Sequence, residues 1–466
     1  MNPDAKHRIA EYADLLERRA QLDGMAGFEP VWLPDFLFGF QRHMAAWAIR
    51  QGCGALLEDC GLGKSVQELV WAQNVYRQTG RPVLLLTPLA VTFQMAAEAE
   101  KFGIEARTSR DGTVAGPVTV TNYERLHLFD PAAYAGVVCD ESSCIKDFDG
   151  VRRGLVTDFL RKMPYRLLGT ATAAPNGYTE LGTSSEALGY LGHMDMLTRF
   201  FTNKQGTSKG YGGVWRDDGG WRFKGHAEQP FWRWVSSWAR AMRRPSDLGF
   251  DDGGFVLPPL EYRQHVVEAR TPSGDGTLFD VAASGLREER AESRRTIAER
   301  CEQAAALLEH ADTAVAWCNL NAEGDLLERL IGGAVQVSGS ESPDAKEEKL
   351  AAFTRGDIRV LVTKPRIGAW GLNWQHCHRM TCFPTWSYEE HYQAVRRCWR
   401  FGQQQPVTVD IITTPGGAGV LKGLQRKAGQ ADLMFTALVA HMRQAQGVRR
   451  GDTYDLDVEV PRWAAC

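Results

Sequence analysis

Short, wholly apolar runs alternate along this chain with longer stretches in which apolar residues recur at helical spacing. An apolar run of about four to eight residues between turns is typical of a strand buried on both faces of a parallel sheet. The first set of such runs lies at Gly54–Leu57, Pro82–Pro88, Pro117–Thr121, Ala135–Asp140 and Tyr165–Thr170. Helical patterns such as Val66–Tyr76 and Val91–Phe102 separate them. The pattern therefore predicts an α/β unit, a parallel sheet covered by helices.

The alternation breaks down between Tyr190 and Pro259 and then begins again. The interruption contains a glycine-rich stretch, Gly206–Gly220, and a set of apolar residues at helical spacing, Phe231, Trp234, Val235 and Trp238. We interpret these aromatic residues as core packing. A second set of strands is predicted at Thr313–Trp317, Ala334–Val337, Ile358–Thr363, Arg379–Phe383 and Val407–Thr413. Two sets of this size predict two lobes, with the boundary between about Pro245 and Gly285.

Turn-forming residues and concentrations of charge along the chain give the predicted domain limits. They are an N-terminal helix in residues 1–30, a first lobe in residues 31–258, a second lobe in residues 259–445 and a tail in residues 446–466. The first lobe includes a Trp- and Gly-rich insert at about residues 190–258. In the second lobe, Ser342 and Pro343 are predicted to begin a helix, and Ser387 with Glu390 to form a capping box for another.

Composition limits the classes of function. The 466 residues are 44% hydrophobic and 24% charged, which is ordinary for a soluble globular protein. The sequence has no apolar run of the roughly 18 residues that a membrane helix needs, and Met1–Ala20 is charged throughout, so we expect a cytoplasmic protein without a signal peptide. The ten scattered cysteines are interpreted as reduced core residues. A net charge of −3 means that nucleic-acid binding would need one local basic surface.

The segment Glu58–Ser65 follows the first apolar run and precedes a helix, which is the setting of a phosphate-binding loop. Its glycines let backbone N–H groups point at phosphate oxygens. Lys64 would supply a charge to the β and γ phosphates, and the Ser65 hydroxyl a ligand for Mg²⁺. Glu58 stands where the strict pattern has glycine, and a strand–helix turn of no special use is the alternative.

Acidic and hydroxyl residues follow two further strands. Asp140 and Glu141 end one apolar run, where open α/β sheets place ligand groups, so Asp140 could hold Mg²⁺ and Glu141 could polarise a water. Thr170 and Thr172 follow the next run and could relay the phosphate state. Alone, each pair also suits an exposed strand end or a plain turn.

In the second lobe, Arg397 and Arg400 are three residues apart and share a helix face. Such a pair could stabilise charge on a transferred phosphoryl group, and a solvated basic helix is the alternative. A zinc site at His376, Cys377, His378 and Cys382 is disfavoured, because alternate residues of a strand point to opposite faces and no second Cys/His pair lies nearby.

In this order, the motifs resemble those of superfamily-two helicases, and most of all the Swi/Snf-type DNA translocases, in a compact phage or bacterial form, over roughly residues 38–413. The resemblance implies two tandem RecA-like lobes. It also implies an ATP site formed by Gln41, Gly61, Leu62, Gly63, Lys64, Ser65 and Gly371, with Mg²⁺ held by Ser65 and Asp140. That family also has an acidic residue where Glu58 stands. Catalysis would fall to Lys64, Asp140, Glu141 and the arginine fingers Arg397 and Arg400.

The resemblance further implies DNA contacts from Thr121, Asn122, Lys146 and Arg366, and coupling through Thr170 and Thr172. Two positions depart from the family's pattern. Ser142 and Ser143 replace the usual Ala-His of the Asp-Glu box, and Arg396 replaces an acidic residue beside the first arginine finger.

These residues predict a DNA-dependent ATPase that moves along double-stranded DNA without sequence preference, since backbone contacts carry no sequence information. We expect ATP and Mg²⁺ as cofactors and a monomer acting in a bacterial or phage-infected cell, with replication or recombination proteins as possible partners and no membrane association. One alternative is a strand-separating helicase of replication or recombination. Another is a nucleotide-gated binding module that recruits proteins through the Trp-rich insert and turns over little ATP.

Overall fold

The computed structural model describes residues 27–145, 150–203, 221–270, 286–368, 372–385 and 387–445. Several predictions concern other parts of the chain and so lie outside the described residues. They are the N-terminal helix, predicted from Asp4 to Gln21, the glycine-rich stretch Gly206–Gly220, Lys146, Gly371 and the tail after residue 445.

The first unit alternates strands and helices much as the apolar pattern predicts. In chain order it contains α1 (Gly39–Gln51), β1 (Cys53–Glu58), α2 (Lys64–Thr79), β2 (Val83–Thr87), α3 (Thr92–Lys101), β3 (Ala106–Thr108), β4 (Val118–Asn122), β5 (Gly136–Cys139), α4 (Val151–Leu160) and β6 (Tyr165–Thr170). It continues with α5 (Leu181–Leu188), α6 (His193–Phe200), β7 (Phe201–Asn203), β8 (Trp221–Phe223), α7 (Glu228–Trp238) and β9 (Ala239–Met242).

Within the described residues, seven of these strands form a sheet of order β3-β4-β2-β5-β6-β1-β9, in which every pair is parallel. Because the strands are parallel, their carboxyl ends all lie at one edge of the sheet. The strand β9 differs from expectation: the predicted insert supplies it, and it pairs with β1 from Ala55↔Ala239 to Glu58↔Met242. The last part of the interrupted stretch is therefore integral to the sheet.

The core of this unit includes the tryptophans of α7. Trp232, Trp234 and Trp238 are buried among aromatic residues of α6, β7 and β8, so the interpretation of this stretch as core packing is confirmed. The strands β7 and β8 pair antiparallel beside them. Stacked and edge-to-face ring contacts, such as Phe201 with Phe223 at 4.7 Å, hold the cluster together.

The second unit has the same construction. It contains β10 (Leu260–Val266), α8 (Leu286–Arg295), α9 (Ile297–Leu308), β11 (Ala314–Trp317), α10 (Asn321–Leu330), β12 (Ala334–Val337), α11 (Pro343–Arg355), β13 (Val360–Thr363), α12 (Pro365–Gly368), β14 (Arg379–Cys382), α13 (Tyr388–Cys398), β15 (Val407–Thr413) and α14 (Ala418–Ala445). Its described strands form a parallel six-stranded sheet of order β10-β15-β14-β11-β13-β12. The predicted α/β class with two parallel sheets is confirmed.

Two predicted helix starts are found, one with a difference. The Ser342 hydroxyl accepts a hydrogen bond from Ala345 N at the start of α11. The Ser387 hydroxyl accepts one from Glu390 N, but the reciprocal half of the capping box is not formed. The Glu390 carboxylate instead pairs with Arg366 at 2.8 Å, and Ser387 N donates to the Thr385 hydroxyl. A nearby cation competes successfully for the carboxylate.

The chain divides into a first unit, residues 1–251 and 431–466, and a second unit, residues 252–430. The long helix α14 thus begins in the second unit and ends in the first. Its early residues Val420, Leu421 and Leu424 are buried, and Leu421 and Leu424 belong to the core beneath α13. Its later apolar residues join the core of the first unit: Met434, Phe435, Leu438, Val439 and Met442. Of the helices described, none is long and apolar enough to cross a membrane.

Candidate nucleotide site

The glycine loop between β1 and α2 is shaped by two glycines in left-handed backbone conformation, Gly61 (φ 89°) and Gly63 (φ 81°). Gly63 is required for a second reason, because a Cβ atom there would lie 2.3 Å from Nε2 of Gln41. That nitrogen donates to Leu62 O at 2.9 Å, and Oε1 of Gln41 accepts from Phe38 N at 3.1 Å. Gln41, predicted to bind ATP, therefore holds the loop in place.

Lys64, the first residue of α2, folds back over the loop. Its Nζ donates to Glu58 O at 2.8 Å and to Asp59 O at 3.3 Å. The side chain is buried, and Ser65 beside it is half-buried. The ammonium is thus held by backbone carbonyls at the place where the predicted phosphates would compete for it.

The acidic pair begins directly after β5. Asp140 N donates to Leu86 O at 2.9 Å, and the Tyr123 hydroxyl donates to Asp140 O at 2.6 Å. Glu141 has a positive φ of 50°, which is strained for a residue other than glycine. The backbone bonds around Asp140 fix the point at which the chain turns, so Glu141 is held in this conformation by its surroundings.

The predicted coupling residues are connected to this pair. The Thr170 hydroxyl donates to Oε2 of Glu141 at 3.4 Å and accepts from Thr172 N at 3.0 Å. A hydroxyl has a single proton, so these two bonds give Thr170 one defined orientation. The structure thus joins Glu141, Thr170 and Thr172 in one hydrogen-bonded series at the carboxyl ends of β5 and β6.

Buried carboxylates accumulate around Lys64. Burial, followed by the neighbouring Glu141, raises the pKa of Asp140 to about 7, while Lys64 opposes the shift. Burial likewise raises the pKa of Glu58 to about 7, against the effects of Lys64 and of a hydrogen bond from Gln67. Charges that raise one another's pKa lie close together, so this edge of the sheet carries more negative charge than it can balance.

Glu68 belongs to this group although its position in the sequence does not reveal it. It lies one helical turn after Lys64, is fully buried, and has a pKa raised well above the ordinary value by burial and then by Asp140. Within the described part of the chain, neither of its carboxylate oxygens has a hydrogen-bond partner. A Cβ atom on Gly169 would lie 1.9 Å from its Oε1, so that glycine makes room for it. The sequence signal that could have identified Glu68 is a carboxylate at an otherwise apolar position of the helical pattern.

A magnesium ion fits this environment. The candidate ligands Ser65 and Asp140 offer hard oxygen atoms, and Mg²⁺ commonly takes one or two protein ligands with substrate phosphates and water. The described residues contain no group of three or more His, Cys, Asp or Glu side chains able to hold a metal by themselves. The raised pKa of Asp140 shows that added positive charge would be stabilising here.

The predicted arginine fingers lie together in the second unit. Arg397 is buried on α13, and its guanidinium donates to Gln393 O, to Oε1 of Gln393 and to Leu372 O. Arg400 follows the helix and donates to the same Leu372 carbonyl at 3.1 Å. Leu372 is the chain neighbour of Gly371, a predicted ATP contact, so both arginines are attached to that segment.

Arg396, the departure noted in the sequence, packs differently. It is buried with its guanidinium over the rings of Trp399 (4.4 Å) and Tyr392 (5.4 Å). Burial, followed by repulsion from Arg400 and Arg397, lowers its pKa to about 9. Aromatic rings are thus among its partners.

The predicted DNA-binding residues have local roles in this structure. Thr121 is buried and its hydroxyl donates to Ser109 O, while Oδ1 of Asn122 accepts from Arg125 N. Arg366 is exposed and paired with Glu390, an arrangement that contributes about 0–1 kcal/mol and can be exchanged readily. Their contact with DNA stays a prediction.

Comparison with known proteins gives limited matches. No protein-family model matches the chain. A segment of 102 residues is 29% identical to the bifunctional helicase and thymine dioxygenase JBP2 of Leishmania braziliensis, which covers 21% of this chain and 9% of that protein. The chain is also similar to the SWI2/SNF2 ATPase core of Sulfolobus solfataricus in complex with dsDNA, at 15% identity and a TM-score of 0.41, over 91% of this chain and 98% of that chain.

Proposed function

We propose that this chain is an ATP-dependent DNA translocase that couples ATP hydrolysis to movement on double-stranded DNA. The observation that carries the proposal is the carboxyl edge of the seven-stranded sheet. There the glycine loop with Lys64 lies near Asp140, and Glu141 is hydrogen-bonded to Thr170. A phosphate cradle, a metal-binding acid and an oriented second acid form the set that nucleotide hydrolysis requires.

ATP binding would begin with an exchange at Lys64. Its ammonium would leave the carbonyls of Glu58 and Asp59 and contact phosphate oxygens, while the backbone N–H groups at the start of α2 face the same phosphates. Gln41 keeps the loop shaped during the exchange through its bond to Leu62. The nucleotide thus enters a site whose backbone is already in place.

Ser65 and Asp140 would hold Mg²⁺, which when bound supplies positive charge that screens the phosphates and stabilises the charge developing on them. Glu141, oriented by Thr170, would accept the proton of the attacking water. The guanidinium groups of Arg397 and Arg400 would stabilise charge on the transferred phosphoryl group. Thr172 is hydrogen-bonded to Thr170 and would transmit the protonation of Glu141 to the rest of its unit.

DNA would be held mainly through its phosphates, so binding should be non-specific in sequence and should weaken with salt. A segment of this chain is 29% identical to a protein named as a helicase, which supports a nucleic-acid substrate. Alternating affinity of the two units for the strand during the ATP cycle would produce movement.

The test is the ATPase rate of the full chain with duplex, single-stranded, forked and RNA cofactors. We expect stimulation by DNA, and a loss of about 100-fold or more in the Lys64→Ala variant, the scale of removing one preorganised charge contact. Lys162→Ala, an exposed lysine of the same unit, is the matched control and should keep the parent rate. A Lys64→Ala variant as active as the parent with DNA present contradicts the proposal.

Movement is separated from its alternatives by two further assays. Displacement of the third strand of a triplex without unwinding of a plain fork supports translocation, whereas efficient fork unwinding supports strand separation. Tight ATP-dependent DNA binding with near-zero turnover in the parent, matched by Glu141→Gln, would support the recruitment module instead.

A further inference from the structure

Three neighbouring strands end at the far side of the same sheet edge, away from the glycine loop. They are β2, β4 and β3, and the residues that follow them expose an unusual set of side chains. Leu89 and Phe93 follow β2 and are 56% and 44% exposed. Arg110 follows β3 and Arg125 follows β4.

Phe93 is not needed to attach its helix. The first turn of α3 is held by Thr92, which is buried and shares a 3.0 Å hydrogen bond with the Thr87 hydroxyl. Met95 and Ala99 bury the opposite face of the helix. These residues anchor the helix without Phe93, so its partly exposed ring on the outer face is accessible to a ligand.

The charged partner of this ring is also exposed. The guanidinium of Arg110 lies over the Phe93 ring at 5.1 Å. In the described residues neither Arg110 nor Arg125 has a side-chain hydrogen bond or an ion pair. The nearest acid in sequence, Asp111, uses its Oδ1 to accept bonds from Ser109 and Thr113 within its own loop. Both guanidinium groups thus remain able to meet phosphates.

The residues that the sequence predicted for DNA contact at this edge are engaged elsewhere. Thr121 bonds to Ser109 O, and Asn122 caps the turn that contains Arg125. Both are buried, so a ligand approaching this edge would meet their exposed neighbours first.

We propose that Phe93, flanked by Arg110, is a stacking platform for an unpaired base of the DNA strand, with Arg110 and Arg125 contacting the adjoining phosphates. The proposal rests on the DNA-binding function proposed above and gives that function a structural preference. An aromatic face combined with arginines is the usual means of holding single-stranded nucleic acid, since every base has a face to stack. A base inside an intact duplex cannot reach such a platform, so the contact favours gaps, forks or single strands.

The experiment measures DNA affinity by fluorescence anisotropy with the full chain. The probes are a labelled duplex, the same duplex with a short gap, and the gapped duplex whose unpaired nucleotides are abasic. We expect Phe93→Ala to weaken binding to gapped DNA by about 5- to 100-fold and to leave intact duplex binding unchanged. With abasic nucleotides in the gap, parent and variant should bind alike.

Salt dependence separates the ring from the charge. Arg110→Gln should lower the slope of log affinity against log salt by about one, while Phe93→Ala should leave that slope unchanged. Phe93→Trp, which keeps an aromatic ring, should keep the parent's preference for gapped DNA. Leu155→Ala, which removes another exposed apolar side chain of the same unit, is the control. Circular dichroism checks that each variant folds.

Two results are distinguishable failures. If the parent binds DNA but Phe93→Ala affects gapped and intact duplex equally or not at all, the platform is overturned and the translocase proposal is untouched. A Phe93→Ala variant that keeps its DNA affinity but loses a protein contact would assign the surface to a protein partner. If the parent neither binds DNA nor is stimulated by it, the translocase proposal itself fails.

Discussion

Each unit contains a cluster of buried charge, and the two clusters have opposite signs. At the carboxyl edge of the seven-stranded sheet, the carboxylates of Glu58, Glu68, Asp140 and Glu141 lie buried around the ammonium of Lys64. On α13 of the second unit, the buried charges include the guanidinium groups of Arg396 and Arg397. The first site is complementary to a cation and the second to an anion.

The largest effect is expected from removing positive charge in the second unit. Arg400→Ala should lower DNA-stimulated ATP turnover by about 10³-fold or more, because an arginine that stabilises the transferred phosphoryl group is worth that much. ATP affinity should change far less, since the group acts in the transition state. Steady-state ATPase and nucleotide-binding assays measure the two quantities. Arg355→Ala, an exposed arginine of the same unit, is the control.

Arg400 is better suited to this test than Arg397. Arg397 is buried with hydrogen bonds to Gln393 and Leu372, so its removal would also disturb packing. If Arg400→Ala keeps the parent turnover, the basic segment from Arg396 to Arg400 is structural and the proposed division of charge between the units is wrong.

A second prediction concerns which unit owns the end of α14. Leu438 is fully buried in the core of the first unit, whereas Leu433 on the same helix is 64% exposed. Leu438→Ala should lower the free energy of unfolding of the first unit by about 2–5 kcal/mol, and Leu433→Ala should have little effect. Hydrogen exchange measured by peptide should show the loss of protection in α7 and β9. Loss confined to β11 and β13 would instead assign this helix end to the second unit.

The smallest effect is expected from one acid of the first site. The pKa of Glu58 is raised to about 7, above its ordinary value, so the folded chain holds a proton that the unfolded chain releases. Its stabilising contribution is full below about pH 4.5 and is lost as the pH rises through 7, a change of about 3 kcal/mol. Glu58→Gln should remove that part of the pH dependence and leave the variant more stable than the parent at pH 8.

Urea unfolding at several pH values measures this difference. Glu100→Gln, at an exposed position of α3, should show the parent pH dependence. Equal pH dependence in Glu58→Gln and the parent would mean that burial does not raise the pKa of Glu58, and the contrast between the units would lose one of its supports.

The strands that could be predicted from the sequence are those whose own residues are mainly apolar. The runs at β2 and β5 are apolar except for the final Thr87 of β2, and β6 has an apolar centre at Leu167 and Leu168, so their pattern places them in a parallel sheet. The short strands β3 and β9 have no run of large apolar residues, and each carries an arginine. They form strands because β3 pairs with β4 and β9 pairs with β1. This pairing depends on the assembled sheet and cannot be read from the residues of either short strand.

The candidate site divides in the same way. The positions of Lys64, Asp140 and Glu141 follow from motifs at strand ends. Glu68 could not be placed, because its burial depends on the absence of a side chain at Gly169 on another strand. The competition of Arg366 for Glu390, which leaves the capping box incomplete, likewise depends on a residue far from the helix start.

The course of α14 has a consequence for the synthesis of this protein. The first unit is begun early on the ribosome, but part of its core comes from residues beyond 430, after the whole of the second unit has been made. At about 5–20 residues per second, translation of residues 252–430 takes roughly 10–40 s. During that interval the apolar surface that receives Leu438 and Met442 lacks its cover. The nascent chain is therefore expected to depend on chaperones at this stage, and the first unit to reach full stability only when the last helix arrives.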